Sequence, residues 1–239
     1  MGSSDSDFLE QVQRMKLTTD KDKAITIHLV RRQVILEENS LSLIGKFLTT
    51  RPINLRAAKQ LLRSMWKLGD DLKVVEVGDG VLQFKFAMES QLLWVWKNGP
   101  WCFDNQLLAL RRWEKVMIAK SVRFTHLPLW VQMWGLPFDL MTKEAGMDIG
   151  RGLENFKEVD CNAFKSDQAK FLRVRVEVPL NKPLWHGALV MSLEGDEARV
   201  AFHYERLVGW CFACSKVGHN AKDCETVNDV DKTTKSYGE

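Results

Sequence analysis

With 239 residues, an apolar fraction of 45% and nine tryptophans, the chain has material for one large or two small packed cores and is not a disordered polymer. A net charge of +3 excludes a histone-like basic coat, and no apolar run reaches the roughly 20 residues of a membrane span, so no membrane partner is expected. The opening Met1-Gly2-Ser3-Ser4-Asp5 lacks the basic and apolar regions of a secretory signal, and the isolated Cys102 and Cys161 fit reduced, buried thiols, so the expected compartment is the nucleus or cytoplasm.

Residues 1–40 read as an N-terminal arm, polar and mixed in charge. It holds a short amphipathic stretch at Phe8–Leu17 and a short strand at Ile25–Leu29 that carries His28 on its outer face. From Leu41 the pattern becomes regular. A strand over Leu41–Leu48 precedes a helix opened by Pro52 and Asn54, with Leu55, Ala58, Leu61, Leu62, Met65 and Trp66 inward and a stop at Gly69. Strands Leu72–Val77 and Val81–Phe86 turn about Gly78-Asp79-Gly80. A helix over Glu89–Lys97 ends at Asn98-Gly99-Pro100, and Leu107–Trp113 is the last strand.

The order over residues 41–113 is βαββαβ, the arrangement of ferredoxin-like and RRM-like domains, so the class is α+β. Such a fold does not by itself make an RNA binder. In RNA-recognition motifs, aromatics on the open face of the sheet stack bases. Here Leu82, Phe84 and Phe86 share the face expected to pack inward, which leaves Val81 and Gln83 at the stacking positions. The aromatic platform is missing. Lys85, Arg111 and Arg112 remain as phosphate contacts. Residues 41–113 carry 11 Lys+Arg against 6 Asp+Glu, a surplus that suits a polyanion and equally an ordinary solvated surface.

Residues 114–209 read as a second small α+β unit. A connection over 114–125 leads to a strand Pro128–Trp134 with both faces largely covered, then a helix over Thr142–Gly152 with Ala145 and Ile149 inward. Strands follow at Phe156–Asp160 and Phe171–Val178. The latter sets Arg173, Arg175 and Glu177 on one face and Leu172, Val174, Val176 and Val178 on the other. A hairpin of Ala188–Leu193 and Ala198–Tyr204 closes the unit and runs through Leu207 and Trp210 into the next module, which should therefore be held against the sheet. Residues 226–239 read as a disordered polar tail.

Residues 210–225 carry the chemistry. Cys211, Cys214, His219 and Cys224 follow C-x2-C-x4-H-x4-C, a closed Cys3His set of the kind that holds one structural Zn²⁺. Gly218 supplies the positive φ needed to fold back over a metal. Phe212, between two ligands, has too small a core beneath it to be buried. Phe212 and Trp210 are candidates to stack unpaired bases, and Lys216, Lys222 and Arg206 to meet phosphates. Packing of the module onto the sheet is an equal reading of Trp210. The expected partner is single-stranded RNA or DNA. The alternative is a protein-interaction adaptor, binding another protein or its own copies through this module and the Trp-rich sheets. No catalytic residue is assigned: His126, His186 and His203 sit in no motif, and a four-ligand metal site leaves no open position for a substrate. The chain is expected not to be an enzyme.

Residues 211–224 resemble the zinc knuckle of retroviral nucleocapsid and retroelement Gag-type proteins. They match at the four ligands, at Phe212 and at Gly218-His219, and depart at Ser215, where that family often has glycine. With Leu43–Leu48, Gly99-Pro100-Trp101, Trp130–Pro137 and Tyr204–Leu207 as further landmarks, the chain resembles a plant family in which a "domain of unknown function" precedes a CCHC knuckle, related to the first open reading frame of LINE-type retrotransposons. The resemblance implies a Gag-like protein, from an element or retained by its host, that packages or chaperones RNA or single-stranded DNA.

Overall fold

The computed structural model describes Gln11, Arg14, Met15, residues 30–160 and 170–219, Ala221 and Cys224. The expected strand Ile25–Leu29, most of the Phe8–Leu17 stretch, Cys161, Lys222 and the 226–239 tail lie outside the described residues. The chain divides into two compact units, Met1–Ile35 and Leu36–Glu239. In the first, Ile35 N–H donates to the Arg31 carbonyl (3.1 Å) in the opening turn of helix α1 (Arg32–Ser40). The second holds two five-stranded antiparallel sheets.

The first sheet is built from β1 (Ser42–Phe47), β2 (Leu72–Gly78), β3 (Val81–Phe86), β4 (Trp101–Phe103) and β5 (Gln106–Arg112), in the order β2-β3-β1-β5-β4. Without β4 this is the strand order of the ferredoxin-like fold. Helix α2 (Leu55–Trp66) starts where Asn54 Oδ1 accepts from Ala57 N–H (3.1 Å) and ends at Lys67, which takes φ +55° and donates back to Arg63 and Ser64. The cap is thus Lys67 rather than Gly69. Ala58, Leu62 and Trp66 are buried, whereas Leu61 and Met65 face solvent, so the inward stripe is narrower than the apolar one. Helix α3 (Glu89–Lys97) buries Leu92 and Val95 on the same side of the sheet. The strand β4 was not expected. Asp104 and Asn105 both take positive φ (49° and 56°), which makes a two-residue hairpin turn between β4 and β5.

The two faces of the first sheet differ. Leu82, Phe84 and Phe86 pack with Leu62, Trp66 and Leu92 under the helices. On the other face Ile44 and Val81 lie beneath Val122, with Trp113, Met117, Ala119 and Phe124 around them. Gln83 is buried there, donating from Nε2 to Asn39 (3.0 Å) and Ser42 (3.2 Å). The linker after β5 is therefore a roof over the face an RNA-recognition motif would leave open.

The second sheet comprises β6 (His126–Trp134), β7 (Asn155–Val159), β8 (Phe171–Pro179), β9 (Gly187–Met191) and β10 (Glu197–Tyr204), in the order β7-β8-β6-β10-β9. Leu127, Leu129, Val131 and Met133 of β6 and Leu172, Val174, Val176 and Val178 of β8 form one buried face. Leu107 and Ala109 of β5 join this core, so β5 serves both sheets. Helix α4 (Lys143–Leu153), capped by Thr142 Oγ1 on Ala145 N–H (3.1 Å), buries Gly146, Gly150 and Leu153, with Ile149 packed against the second core as expected and Ala145 half-buried. A Cβ on Gly150 would stand 2.6 Å from Phe156, so only glycine permits this approach.

The opposite face of the second sheet is a polar lattice. Arg173 stacks over the Trp130 ring (3.9 Å to its centroid) and grips Glu205 with Nε and Nη2 (2.8 Å each) and Asp160 with Nη1 (2.8 Å). Gln132 Nε2 also donates to Glu205 (2.9 Å), and Trp134 Nε1 donates to Gln132 (3.0 Å). Arg175, buried, donates from Nη2 to the Trp96 carbonyl at the end of α3 (2.7 Å). The landmark stretches Trp130–Pro137 and Tyr204–Leu207 thus meet in one bonded network.

Candidate metal centre and nucleic-acid interface

The chain leaves β10 tied to this lattice. Glu205 N–H still pairs with the Trp130 carbonyl (2.9 Å), and its carboxylate is fixed by Arg173 and Gln132. Burial alone would push the Glu205 carboxyl up, but those hydrogen bonds outweigh it and hold the group below its ordinary value. Arg206 then takes φ +53° and donates from Nη1 to the Asn98 carbonyl (3.0 Å). Leu207 and Val208 pack against the second core.

From Gly209 the backbone folds on itself. Trp210 bridges Val217, Cys211 N–H donates to Lys216 (2.8 Å), Ser215 N–H to Cys211 (2.8 Å) and Gly218 N–H to Gly209 (2.9 Å). Three residues make this possible by positive φ: Gly209 at 62°, Gly218 at 100°, as expected, and, last, Ser215 at 57°. The serine gives something glycine could not: its Oγ lies 2.9 Å from His186 Nε2, a hydrogen bond to the segment that leads into β9. Burial holds His186 below its ordinary value and thus favours the neutral ring. Leu184 N–H donates to the Ser215 carbonyl (2.8 Å), and Val217 is buried in the second core. The loop is docked at several points, not tethered.

This fold brings Cys211, Cys214, His219 and Cys224 together, with one ligand atom of each lying within 4.8 Å of all the others. Tetrahedral Zn–S bonds of about 2.3 Å place sulfurs about 3.8 Å apart, so the donor set closes on one ion with little movement. Cys214 Sγ and His219 Nε2 are already 3.3 Å apart. Cys211 is fully buried; burial raises its thiol, against the pull of the Cys214 and Ala213 N–H groups. Three thiolates and an imidazole, with neighbouring amides aimed at one sulfur, are chemistry for zinc. The four side chains are positioned to bind one Zn²⁺ ion.

Phe212 is 61% exposed, and its ring packs on Trp210 at 4.4 Å between centroids and 48° between planes. Trp210 is half-buried, with His186 behind it at 6.2 Å. Lys216 is half-buried beside the metal site, Arg206 is exposed but tied to Asn98, and Lys222 lies outside the described residues. Of the histidines outside the cluster, His126 and His203 are exposed on β6 and β10, and His186 belongs to the docking of the loop. That last role left no trace in the sequence, because 29 residues separate His186 from Ser215.

A closed Cys3His centre folded back over Gly218 and braced by a sheet defines a protein with a CCHC zinc knuckle. Residues 179–226 match the family described as "Zinc knuckle", and residues 35–120 match the one described as "Domain of unknown function (DUF4283)". The chain thus carries a region similar to the DUF4283 family ahead of a region similar to zinc knuckles. It is also 28% identical over 138 residues to an uncharacterized protein of Arabidopsis thaliana, across 58% of this chain and 43% of that relative, so it spans less than half of the relative's length. The limits of the two matches agree with the packing. The knuckle match begins well before Cys211 and takes in Leu184, His186, β9 and β10; the DUF4283 match runs on past β5 into the roofing linker.

Proposed function

We propose that the protein is a zinc-dependent, non-enzymatic binder of single-stranded nucleic acid, RNA or DNA, working in the nucleus or cytoplasm. The observation that carries this reading is Phe212, an aromatic ring presented to solvent on top of Trp210 by a metal-closed loop. A ring so placed offers a stacking surface to any base, at a site where Lys216 adds positive charge. The resemblance of the knuckle sequence to that of Gag-type proteins supports packaging or chaperoning of the nucleic acid as the task, in an element or in a host that has kept the gene. Fluorescence anisotropy with a short unstructured RNA tests the reading: binding falls steeply with salt, and Phe212→Ala weakens it while zinc content stays at one per chain. Wild-type affinity in that variant overturns it.

A second reading, a protein adaptor, has its own observation. At the sheet edge, β9 exposes Leu189 and Met191 and leads to the fully exposed Leu193. An open strand edge with an apolar face is suited to pairing with another chain, another copy included. Its binding would be nearly indifferent to salt, the opposite of the nucleic-acid reading.

A further inference from the structure

Residues 111–126 carry five cations, Arg111, Arg112, Lys115, Lys120 and Arg123, against the single acid Glu114. Where this stretch meets the second sheet a cleft of about 390 Å³ opens, with Arg111, Arg112 and Arg123 at its wall and Trp96, Phe124 and Pro128 as its apolar lining. Two carboxylates also reach it, and both are engaged: Glu114 with Arg111 Nη2 (3.0 Å), and Glu177 with Lys157 (2.9 Å) and Asn155 (2.9 Å). Arg112 and Arg123 have no carboxylate partner among the described residues. Arg111 Nη1 donates to the Arg123 carbonyl (3.3 Å), which draws the arginines together with Glu114 as the one acid paired among them. Arg111 and Arg123 also tie the linker down, Arg123 Nη1 donating to the Lys120 carbonyl (2.6 Å), while the roof itself rests on Val122, Met117 and Ala119.

We propose that this cleft is a second contact for the same single strand, in which the three arginines hold phosphates while the knuckle stacks bases. The proposal rests on the nucleic-acid reading above. Guanidinium groups are the side chains best matched to phosphate oxygens, and Trp96 beside them offers a flat apolar wall to sugar or base. The end of α3 links the two places. Trp96 lines the cleft and accepts from Arg175, while Asn98, two residues on, accepts from Arg206, five positions before Cys211.

The test compares an Arg112→Ala/Arg123→Ala double variant with an Arg56→Ala/Lys59→Ala control that removes the same charge from α2. Each is titrated with single strands of about four and about twelve nucleotides over a range of salt. Both cleft side chains are exposed, so folding, checked by circular dichroism, is retained. The cleft variant weakens the long strand and flattens its plot of log K against log salt by about 1.4, from two phosphate contacts at about 0.7 each. It leaves the short strand, which the knuckle alone can span, as in wild type. An unchanged slope, or equal weakening by the control, overturns the cleft while the knuckle reading stands. Failure of the underlying reading looks different: wild type then shows no salt-dependent binding and Phe212→Ala is silent, which overturns both.

Discussion

The first sheet and the knuckle are both rich in aromatic residues, and they use them in opposite ways. Phe84, Phe86, Trp66 and Trp101 are all nearly or fully buried, with the Trp66 and Phe84 rings edge to face at 5.3 Å. Phe212 faces outward from the knuckle, on top of the half-buried Trp210. The sheet's own rings are buried beneath its helices and its remaining face is roofed by the linker, which leaves Trp94 and the half-buried Trp96 of α3 as helix rings still reachable from outside. In the knuckle, metal bonds take over the role that burial plays elsewhere, which frees its phenylalanine for a ligand. The number of aromatic residues says little about base stacking. What holds the surrounding backbone decides it.

The sharpest break of this contrast is removal of the metal. Apparent binding free energies for structural zinc are about 10–16 kcal/mol, so chelation, or Cys214→Ser, unfolds the knuckle. Single-strand affinity should collapse while both sheets stay folded. The second sheet should nonetheless melt at a lower temperature than in the zinc-bound protein, because Val217 and the Leu184–Ser215 hydrogen bond leave with the loop. Circular dichroism and anisotropy in parallel follow both, and full affinity without zinc would remove the knuckle from the binding site.

Next in size is a pair of phenylalanine truncations. Phe84→Ala costs about 3–5 kcal/mol of stability, as for a buried ring leaving a cavity. Phe212→Ala costs almost none, yet loses about 1–3 kcal/mol of binding. Urea unfolding and anisotropy on the same two proteins should show the effects exchanged. If Phe212→Ala destabilises as much as Phe84→Ala, its ring belongs to the core after all.

Strand alternation made the inward set of β3 readable, and the ligand spacing made the metal centre readable down to each residue. What escaped depends on distance along the chain. Nothing in residues 113–124 marks them as a roof, because their partners Ile44 and Val81 lie far away in sequence. The joining of Trp130, Arg173 and Glu205 was illegible for the same reason. By contrast, β4 did have a local signal, Asp104-Asn105 between two apolar runs, and it went unread. Helix α2 was readable in extent but its buried stripe was not, since Leu61 and Met65 look inward only by periodicity.

A smaller effect probes the lattice that leads into the knuckle. The folded-state value of Glu205 lies below its ordinary 4.5, so its contribution to stability is present above the unfolded value and is lost as pH falls through the folded one. Glu205→Gln should cost about 1.5–3 kcal/mol at neutral pH, as for charge-assisted hydrogen bonds to Arg173. The gap from wild type should narrow in acid, below the carboxylate range. Denaturant midpoints of the two proteins across pH measure this; a gap that does not depend on pH would mean the pair adds nothing to folding.

The smallest effect belongs to Ser215. Ser215→Gly relieves the positive φ, a gain of about 1–2 kcal/mol, but forfeits the His186 hydrogen bond, a loss of about 0.5–1.5 kcal/mol, so the sum stays near zero. Ser215→Ala keeps the unfavourable φ and loses the bond, and should melt below both. Identical melting of the alanine and glycine variants would deny Ser215 its part in docking.

The docking of residues 210–217 on Leu184, His186 and the second core also decides what can be transplanted. A graft of the fourteen residues from Cys211 to Cys224 would carry every ligand into a foreign host, but Val217 would arrive without its pocket and the Ser215 carbonyl without its amide. Such a graft would capture the ion and swivel freely. The smallest heritable cassette that also fixes the direction in which Phe212 points starts near residue 179, with β9 and β10 included.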